Sequence, residues 1–190
     1  MKLWLLAVLT ASLFAATEHY YEFGDLEVRG DGVLIDIKTQ KPANGIGRFY
    51  YDSGKLRGET PFQNGLREGV AKTYYENGAL KGEATFKNDK FEGLKKEFFD
   101  SGRIQSEVPF VNNEAEGIAK FYYESGKVQG ETPFEKNKAD GVAKFFTPTG
   151  KVARTIEFKE GVVVKAFDYD DKGTAKALNP EEIATAISKE

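Results

Sequence analysis

The chain has 190 residues, a formal net charge of −3 and no cysteine. Its lysines alternate with glutamates instead of forming a basic patch, which argues against nucleic acid as the main partner. The lack of cysteine excludes disulfides, zinc–thiolate sites and thiol catalysis.

Residues 1–16 have the features of a secretory signal peptide. Lys2 supplies a positive start, residues 3–14 an apolar run, and Ala15 and Ala16 small residues near a cleavage point. The run is too short to span a bilayer as a mature helix. We therefore expect an exported protein, periplasmic or secreted, without a membrane span after signal cleavage. An uncleaved amino-terminal anchor is the alternative.

Residues 17–44 are predicted to form edge strands and a turn ahead of the repeats. Residues 18–30 are acidic and aromatic, which predicts one or two irregular edge strands. Residues 33–37 (VLIDI) alternate as a strand does. Residues 38–45 (KTQKPANG) predict a turn into the first complete repeat.

Residues 45–164 hold five copies of a repeat with a period of 24 residues, and such a period indicates a repeat array. Repeat positions are counted from the first glycine of each copy. Three positions are invariant: the first glycine (Gly45, Gly69, Gly93, Gly117, Gly141), a turn glycine (Gly54, Gly78, Gly102, Gly126, Gly150) and a phenylalanine (Phe62, Phe86, Phe110, Phe134, Phe158). Positions 2 and 12 are always aliphatic, position 6 is always aromatic and position 4 is always basic, while position 15 is acidic in four copies.

Each repeat is predicted to be a β-hairpin that continues into the next one. In the second repeat, a two-residue type I′ loop would pair Tyr75 with Leu80, whereas a three-residue loop ending at Gly78 would pair Tyr74 with Leu80. We favour the three-residue loop because it places repeat positions 2, 6, 12, 16 and 18 on one face. Those positions hold the most consistently apolar residues.

Glycines also occur in the middle of second strands, at repeat position 14. Gly58, Gly82 and Gly130 lie there, and a strand glycine marks a site of close approach. We expect neighbouring tyrosine and phenylalanine rings to lie over this bare backbone. Between repeats, Asn64-Gly65 and Asn88-Asp89 predict further turns.

Residues 165–190 are predicted to form a degenerate repeat and a capping helix. Asn179 and Pro180 are typical of a helix start, and the helix has an apolar stripe of Ile183, Ala184 and Ile187. Its expected role is to cap the last strand edge. The predicted fold is mainly β: an elongated antiparallel β-meander of repeated hairpins, about eleven or twelve strands long, with a short C-terminal helix.

The motif GxxxxYYxNGxLKGExxF of the second repeat resembles the MORN-type repeat variant of bacterial YwqK-like antitoxin proteins. The resemblance covers residues 45–161. It implies a meander of β-hairpins and, by analogy, neutralisation of a toxin by binding. A signal peptide departs from that family where its toxins act in the cytoplasm, and indicates an exported immunity-like or envelope protein.

The stretch YYxNGxLKG is also similar, more weakly, to the choline-binding and related cell-wall repeats of secreted proteins. Those repeats build ligand pockets from tryptophan and tyrosine contributed by successive hairpins. Here the sole tryptophan is Trp4, inside the signal peptide, so a cage for a quaternary ammonium lacks its strongest walls. Cell-wall or glycan binding is therefore the alternative function.

No catalytic constellation is evident, and we predict that the protein is not an enzyme and has no cofactor or metal site. A Ser–His–acid triad would need His19, the single histidine, which lies beside the cleavage region. The carboxylates recur as repeat positions, and no two of them are singled out as a glycosidase pair. Asp168, Asp170 and Asp171 before Gly173 resemble a calcium loop only faintly, since the remaining ligand positions are absent.

Aromatic pairs at repeat positions 6 and 7 are the best candidates for a binding site. Adjacent residues face opposite sides of a strand, so the second ring of each pair is expected on the charged face, where it either contacts a partner or braces the sheet. These candidate partner-contact residues are Tyr51, Tyr75, Phe99 and Tyr123. The apolar face of a single-layer sheet also needs a cover, so self-association is a further expectation.

The predicted function is that of a non-enzymatic, exported repeat protein that binds another protein through its β-sheet. The partner would be a toxin or an envelope component, and not a nucleic acid.

Overall fold

A computed structural model describes residues 19–22, 24–179 and 181–183, and these residues are almost entirely β. The strands described are β1 (Tyr20–Tyr21), β2 (Leu26–Val28), β3 (Leu34–Asp36), β4 (Lys41–Pro42), β5 (Gly45–Tyr50), β6 (Leu56–Gln63), β7 (Leu66–Arg67), β8 (Gly69–Tyr74), β9 (Leu80–Lys87), β10 (Lys90–Phe91), β11 (Gly93–Phe98), β12 (Ile104–Val111), β13 (Glu114–Ala115), β14 (Gly117–Tyr122), β15 (Val128–Glu135), β16 (Lys138–Ala139), β17 (Gly141–Phe146), β18 (Val152–Lys159), β19 (Val162–Tyr169) and β20 (Ala175–Ala177).

The main sheet is an antiparallel meander in which sequence neighbours pair. The order β5-β6-β8-β9-β11-β12-β14-β15-β17-β18-β19-β20 follows the chain. The two-residue strands β7, β10, β13 and β16 extend the hairpins between repeats. The predicted meander of hairpins is therefore confirmed, with β1 added at its edge in a parallel pairing with β5.

The turn inside each repeat has the predicted three-residue form. In the second repeat, the Tyr75 amide donates to the Ala79 carbonyl at 2.8 Å and the Gly78 amide to the Tyr75 carbonyl at 2.9 Å. Tyr74 lies opposite Leu80, as predicted. Gly78 has a φ of +89°, in the left-handed region that glycine enters without a Cβ clash. The other turn glycines share this conformation: Gly54, Gly102, Gly126 and Gly150.

The prediction that repeat positions 2, 6, 12, 16 and 18 share one face is wrong. The register shifts between Thr73 and Tyr74, leaving Lys81 without an opposite residue, so that Thr73 pairs with Gly82. This β-bulge at repeat position 13 moves every later residue of the second strand to the other face. Val70, Tyr74 and Leu80 therefore lie on one side, and Phe86 on the other.

The bulge gives the sheet two chemically distinct faces. Repeat positions 3, 5, 14, 16 and 18 form the groove face, which holds buried residues such as Phe86, Ala119, Ala143 and Ile156. Repeat positions 2, 4, 6, 12, 15 and 17 form the ladder face, where Val70, Leu94, Ile118 and Val142 are exposed. The invariant phenylalanines lie on the groove face, each opposite the first glycine of its repeat. The core therefore lies on one side of a single-layer sheet.

Position-14 glycines accommodate a neighbouring backbone more than they accommodate rings. A Cβ on Gly82 would lie 3.2 Å from the Lys96 carbonyl oxygen and 3.2 Å from Thr73 Oγ1, and one on Gly58 would lie 3.1 Å from the Lys72 carbonyl oxygen. The expected ring contact is found at Gly130 alone of the three, where Phe145 Cδ1 lies at 3.5 Å. The expectation is thus wrong for Gly58 and Gly82, where adjacent strands approach closely.

Successive repeats are also linked along the edge where one hairpin turns into the next. The residues at positions 20 and 21, such as Asn88 (φ 49°) and Asp89 (φ 66°), are left-handed, which confirms the predicted turns. A carboxylate at position 24 accepts the position-20 amide of the following repeat. These bonds join Glu68 to Asn88 (2.8 Å), Glu92 to Asn112 (3.1 Å), Glu116 to Lys136 (3.1 Å) and Asp140 to Glu160 (3.0 Å).

A second, three-stranded sheet precedes the repeats and was not predicted. It has the order β2-β3-β4, so Lys41 and Pro42 are strand residues and not part of a turn. Its contact with the first repeat runs through Gly65, whose amide donates to the Ala43 carbonyl at 2.8 Å and whose carbonyl accepts the Leu34 amide at 3.0 Å. The amino-terminal residues therefore add a small layer to the array.

The carboxyl end follows the prediction as far as the structure describes it. Residues 181–183 are helical, and Asn179 and Glu182 form a reciprocal cap in which each side chain accepts the other residue's amide at 2.9 Å. The predicted stripe residues Ala184 and Ile187 lie outside the described residues. Within the described part of the chain, no helix has the length and apolar character needed to cross a membrane.

Candidate functional site

Among the grooves that the described residues form on the groove face, two lie over the repeats, one toward each end of the array. The amino-terminal groove, about 770 Å³ in volume, lies over strands β6, β8, β9, β11 and β12. Its lining includes Phe49, Arg57, Tyr75, Lys81, Phe86, Phe91, Lys95 and Glu97. The carboxy-terminal groove, about 640 Å³, is lined by residues that include Phe121, Tyr123, Gln129, Phe145, Arg154, Asp168 and Tyr169. Both grooves thus lie on the side of the sheet that carries most of its aromatic rings.

The four candidate contact residues at repeat position 7 do not lie on the charged face. Tyr75 lines the amino-terminal groove and Tyr123 the carboxy-terminal groove, because the position-6 rings occupy the ladder face instead. Tyr51 lies near Arg57, whose Cζ is 5.9 Å from the ring centroid. Phe99, like the other three, is half-buried. The expected placement is therefore wrong, although two of the four residues line the grooves.

Position-7 tyrosines also connect one repeat to the next. The hydroxyl of Tyr51 donates to the Tyr74 carbonyl at 2.7 Å, that of Tyr75 to the Phe98 carbonyl at 2.7 Å, and that of Tyr123 to the Phe146 carbonyl at 2.6 Å. These bonds brace the sheet, which is the alternative to partner contact that we considered for these rings from the sequence. Tyr75 and Tyr123 can serve both roles, since the hydroxyl of each is engaged by the backbone while its ring borders a groove.

The third repeat lacks this bracing hydroxyl, because Phe99 occupies position 7. We expect Phe99→Tyr to stabilise the protein by about 1 kcal/mol, the net contribution of one new hydrogen bond to the Tyr122 carbonyl. Urea unfolding followed by circular dichroism would measure the gain. Tyr75→Phe is the matched control and should lose a similar amount. A loss in the control without a gain in Phe99→Tyr would contradict the inferred bracing.

The bulge residue at position 13 places a long side chain beside the position-7 ring. Arg57 Cζ lies 5.9 Å from the Tyr51 centroid and Lys81 Nζ lies 5.6 Å from the Tyr75 centroid. These distances are within the range of a cation–π attraction, which contributes about 0.5–1 kcal/mol at exposed sites. The bulge thus sets a cation at the rim of the amino-terminal groove in each of the first two repeats.

A network of fixed charges surrounds the aromatic floor of this groove. Arg67 Cζ lies 4.2 Å from the Phe86 centroid, and its Nε bonds Asp89 Oδ1 at 2.9 Å. The Phe86 and Phe91 rings pack 4.5 Å apart. Lys95 bonds Glu97 at 2.9 Å. The floor is therefore rigid and apolar, while its wall is polar and largely cationic.

The ladder face carries a row of charges that alternate in sign from strand to strand. Each position-15 acid lies opposite a position-4 base of its own repeat and of the next. The row runs Arg48, Glu59, Lys72, Glu83, Lys96, Glu107, Lys120, Glu131 and Lys144. Ion pairs within it measure 3.0 Å for Arg48–Glu59 and 3.7 Å for Lys96–Glu83. Such partly exposed pairs each contribute a few tenths of a kcal/mol, so the row favours one register more than it adds stability.

Position-6 tyrosines donate to these carboxylates. The Tyr74 hydroxyl bonds Glu59 Oε2 at 3.2 Å and the Tyr122 hydroxyl bonds Glu107 Oε2 at 2.7 Å. Burial, followed by the bond to Glu107 and its negative charge, raises the pKa of Tyr122 to about 12. Burial and the charge of Glu59 raise the pKa of Tyr74 in the same direction. Both phenols therefore stay protonated as donors at neutral pH.

The raised pKa of Tyr122 predicts a stability change in alkaline solution. Below about pH 10 the phenol is protonated in both the folded and unfolded chains. Between pH 10 and about 12 the Tyr122 phenol loses its proton readily only in the unfolded chain. The contribution of Tyr122 to the free energy of folding therefore falls as the pH rises. We expect Tyr122→Phe to be less stable than the natural protein at pH 9, with a smaller difference at pH 11, by urea unfolding. A constant difference would contradict this coupling.

A family model described as MORN repeat variant matches the chain five times, over residues 43–64, 67–88, 91–112, 115–136 and 139–160. A comparison with curated proteins finds no match. Among solved structures, the chain is similar to the crystal structure of accessory secretory protein 1,2 and 3 in Streptococcus pneumoniae, with 13% identity and a TM-score of 0.35 over 66% of this chain and 22% of that chain. Because the five matches together cover more than half of its residues, the chain belongs to the MORN repeat variant family.

Proposed function

We propose that this protein is a non-enzymatic, exported repeat protein that binds another protein through the groove face of its sheet. The observation that carries the proposal is the pair of aromatic-lined grooves on one face of the sheet, each built from consecutive repeats. Aromatic side chains supply large apolar contact areas in protein interfaces. A surface that spans several rigid repeats suits an extended or convex region of a partner.

The absence of catalysis is part of this proposal. His19, the single histidine, packs edge-on against Tyr21 with ring centroids 4.5 Å apart. Asp170 accepts the amides of Lys172 and Thr174 at 2.9 Å and 2.7 Å, as a turn residue does. These contacts support structural roles for the residues that the sequence offers as chemical candidates.

An exported, immunity-like role is the finer form of the proposal. It is motivated by residues 1–16, which have signal-peptide features, and by the resemblance of the repeats to YwqK-like antitoxins. The partner would then be a toxin or an envelope component. Fractionation of cells with an antibody to the protein tests the location, and recovery from the cytoplasm alone would contradict export.

Co-purification from the periplasmic fraction tests the binding proposal. The groove variant Phe49→Ser/Phe121→Ser removes two partly exposed rings, 36% and 39% accessible, from the groove face. The control Val70→Ser/Val142→Ser removes two similarly exposed side chains, 46% and 49%, from the ladder face. We expect the natural protein and the control to retain a protein partner and the groove variant to lose it. Retention by the groove variant with loss by the control would place binding on the ladder face.

Cell-wall or glycan binding is the second candidate. The carboxy-terminal groove favours it, because Phe121, Tyr123 and Phe145 lie together there, and aromatic faces also suit sugar rings. Co-sedimentation with isolated peptidoglycan, without recovery of a protein partner, would support this candidate over protein binding.

A further inference from the structure

Repeat position 13 changes chemistry along the array while its backbone geometry is kept. It is the bulge residue in every repeat. The residues in chain order are Arg57, Lys81, Gln105, Gln129 and Ala153. The first two repeats therefore present cations at a place where the next two present amides and the last a methyl group. This gradient distinguishes the amino-terminal groove from the carboxy-terminal one.

The two cations at the rim are not neutralised by neighbours. Among the residues that the structure describes, Arg57 and Lys81 form no ion pair, in contrast to Arg48, Lys95 and Lys96. Both side chains are exposed, and both line the amino-terminal groove. The chain as a whole has a net charge of −3, so this concentration of positive charge is a local property of the groove.

The floor of the groove between these two cations is aromatic, and Phe86 in this floor is already covered by neighbouring side chains. Phe86 is 6% exposed, packs against Phe91, and has the Arg67 guanidinium over its ring. The rings of Phe49 and Phe91 stay accessible in the groove, so a ligand would meet an apolar surface below and positive charge at the rim. Five adjacent strands span about 20 Å, which is the length of about six residues of extended peptide.

We propose that the amino-terminal groove binds an acidic peptide segment of the partner protein, in which Asp or Glu alternates with aromatic or apolar residues. The proposal rests on the protein-binding function proposed above and specifies the chemistry of the partner. The carboxylates would contact Arg57 and Lys81, and the alternate side chains would lie against the accessible rings of Phe49 and Phe91. A peptide fits this site better than an anionic membrane does, because the floor lies inside a concave groove that a lipid surface cannot enter.

Fluorescence anisotropy with two labelled peptides tests the proposal on the purified protein. The probe is (Glu-Tyr)₄ and its matched control is (Gln-Tyr)₄, which has the same rings without charge. We expect the acidic peptide to bind at least about tenfold more tightly, and to weaken as salt is raised. Equal affinity for the two peptides, or no binding of the acidic one, would overturn the proposal.

Charge variants locate the binding. Arg57→Gln/Lys81→Gln should lose about tenfold or more in affinity for (Glu-Tyr)₄, and it should fold, because glutamine is the natural residue at this position in the third and fourth repeats. Arg57→Glu/Lys81→Glu should lose more. The control Lys55→Gln/Lys172→Gln removes the same charge from exposed turns and should stay within about twofold. Equal losses in the rim and turn variants would overturn the assignment to this groove.

Two further arms separate this proposal from its neighbours. If the periplasmic partner is captured equally by the natural protein and by Arg57→Glu/Lys81→Glu, the acidic-segment proposal fails while protein binding stands. If no protein is captured but the acidic peptide still binds more tightly than its control, the preference of the groove for acidic peptides stands while the proposed binding of a partner protein fails. The groove can be tested in the same way with vesicles of phosphatidylglycerol and phosphatidylcholine. Vesicle binding that depends on Arg57 and Lys81, without peptide binding, would overturn the peptide proposal and identify an anionic membrane as the ligand.

Discussion

Replacing Gly65 by alanine is expected to destabilise the protein by about 3 kcal/mol or more, whereas the same change at Gly54 should cost about 1 kcal/mol. Both glycines have a φ of +79°, so the backbone strain of a side chain is the same at the two sites. Their surroundings differ. A Cβ on Gly65 would overlap the Leu34 carbonyl oxygen and the Val33 Cγ1 methyl, whereas a Cβ on Gly54 would meet no atom within 4 Å.

The excess cost at Gly65 measures the docking of the amino-terminal sheet on the first repeat. Asp89, Asn113 and Asn137 occupy the same repeat position with φ values between 66° and 73°, so the backbone conformation alone does not demand glycine there. Chemical unfolding would give the two free energies, and hydrogen exchange in residues 26–42 should rise in Gly65→Ala alone. Similar losses at Gly65 and Gly54 would show that the small sheet contributes little.

Replacing Ile156 by alanine should destabilise the protein by about 3 kcal/mol, because it opens a cavity in the core of the groove face. Ile156 is 1% exposed and lies on β18 between Ala143 of β17 and Ala166 of β19, which are 0% and 2% exposed. Alanines on both sides have no atoms that could move to fill the space.

Ile118→Ala is the matched control for Ile156→Ala. Ile118 has the same side chain but lies on the ladder face and is 55% exposed, so the expected loss is about 0.5 kcal/mol. Thermal and urea unfolding would measure both variants. Equal losses would indicate that the ladder face is covered in solution, as it would be in a dimer.

The repeat hairpin could be predicted from the sequence because its signals are local. The three-residue turn requires a left-handed residue, which Gly78 supplies, and this turn pairs Tyr74 with Leu80. Because the period is 24 residues, the same turn is expected in the other four repeats. Each strand then pairs with the next one in sequence, which determines the order of the strands in the meander.

The assignment of faces could not be read from alternation, because alternation fails at a bulge. Without a bulge, the two-residue loop would pair Lys72 with Glu83 and the three-residue loop pairs Tyr74 with Leu80. One extra residue at Lys81 allows both pairings. The long polar residue between an aliphatic position 12 and a frequent glycine at position 14 was the available signal. The opposite charges at positions 4 and 15 were a second one.

The amino-terminal sheet was missed for a different reason. Strands β2 and β3 lie within segments predicted as strands, whereas β4 has two residues in a predicted turn, so the missed features are β4 and the pairing of the three strands into a separate sheet. Their position depends on contacts with Gly65, which is distant in sequence. The amino-terminal groove was missed likewise, because the bulge that places Arg57 and Lys81 beside the position-7 rings was not predicted.

The alternating charges of the ladder face limit how such an array can change length in evolution. One added strand would place two like charges opposite each other, whereas a whole repeat adds one base and one acid and leaves the alternation intact. Insertions and deletions are therefore tolerated in steps of 24 residues, or about 10 Å of sheet. The groove face can therefore vary in length only in these steps, and under the proposed function the number of repeats would set the size of partner that it fits.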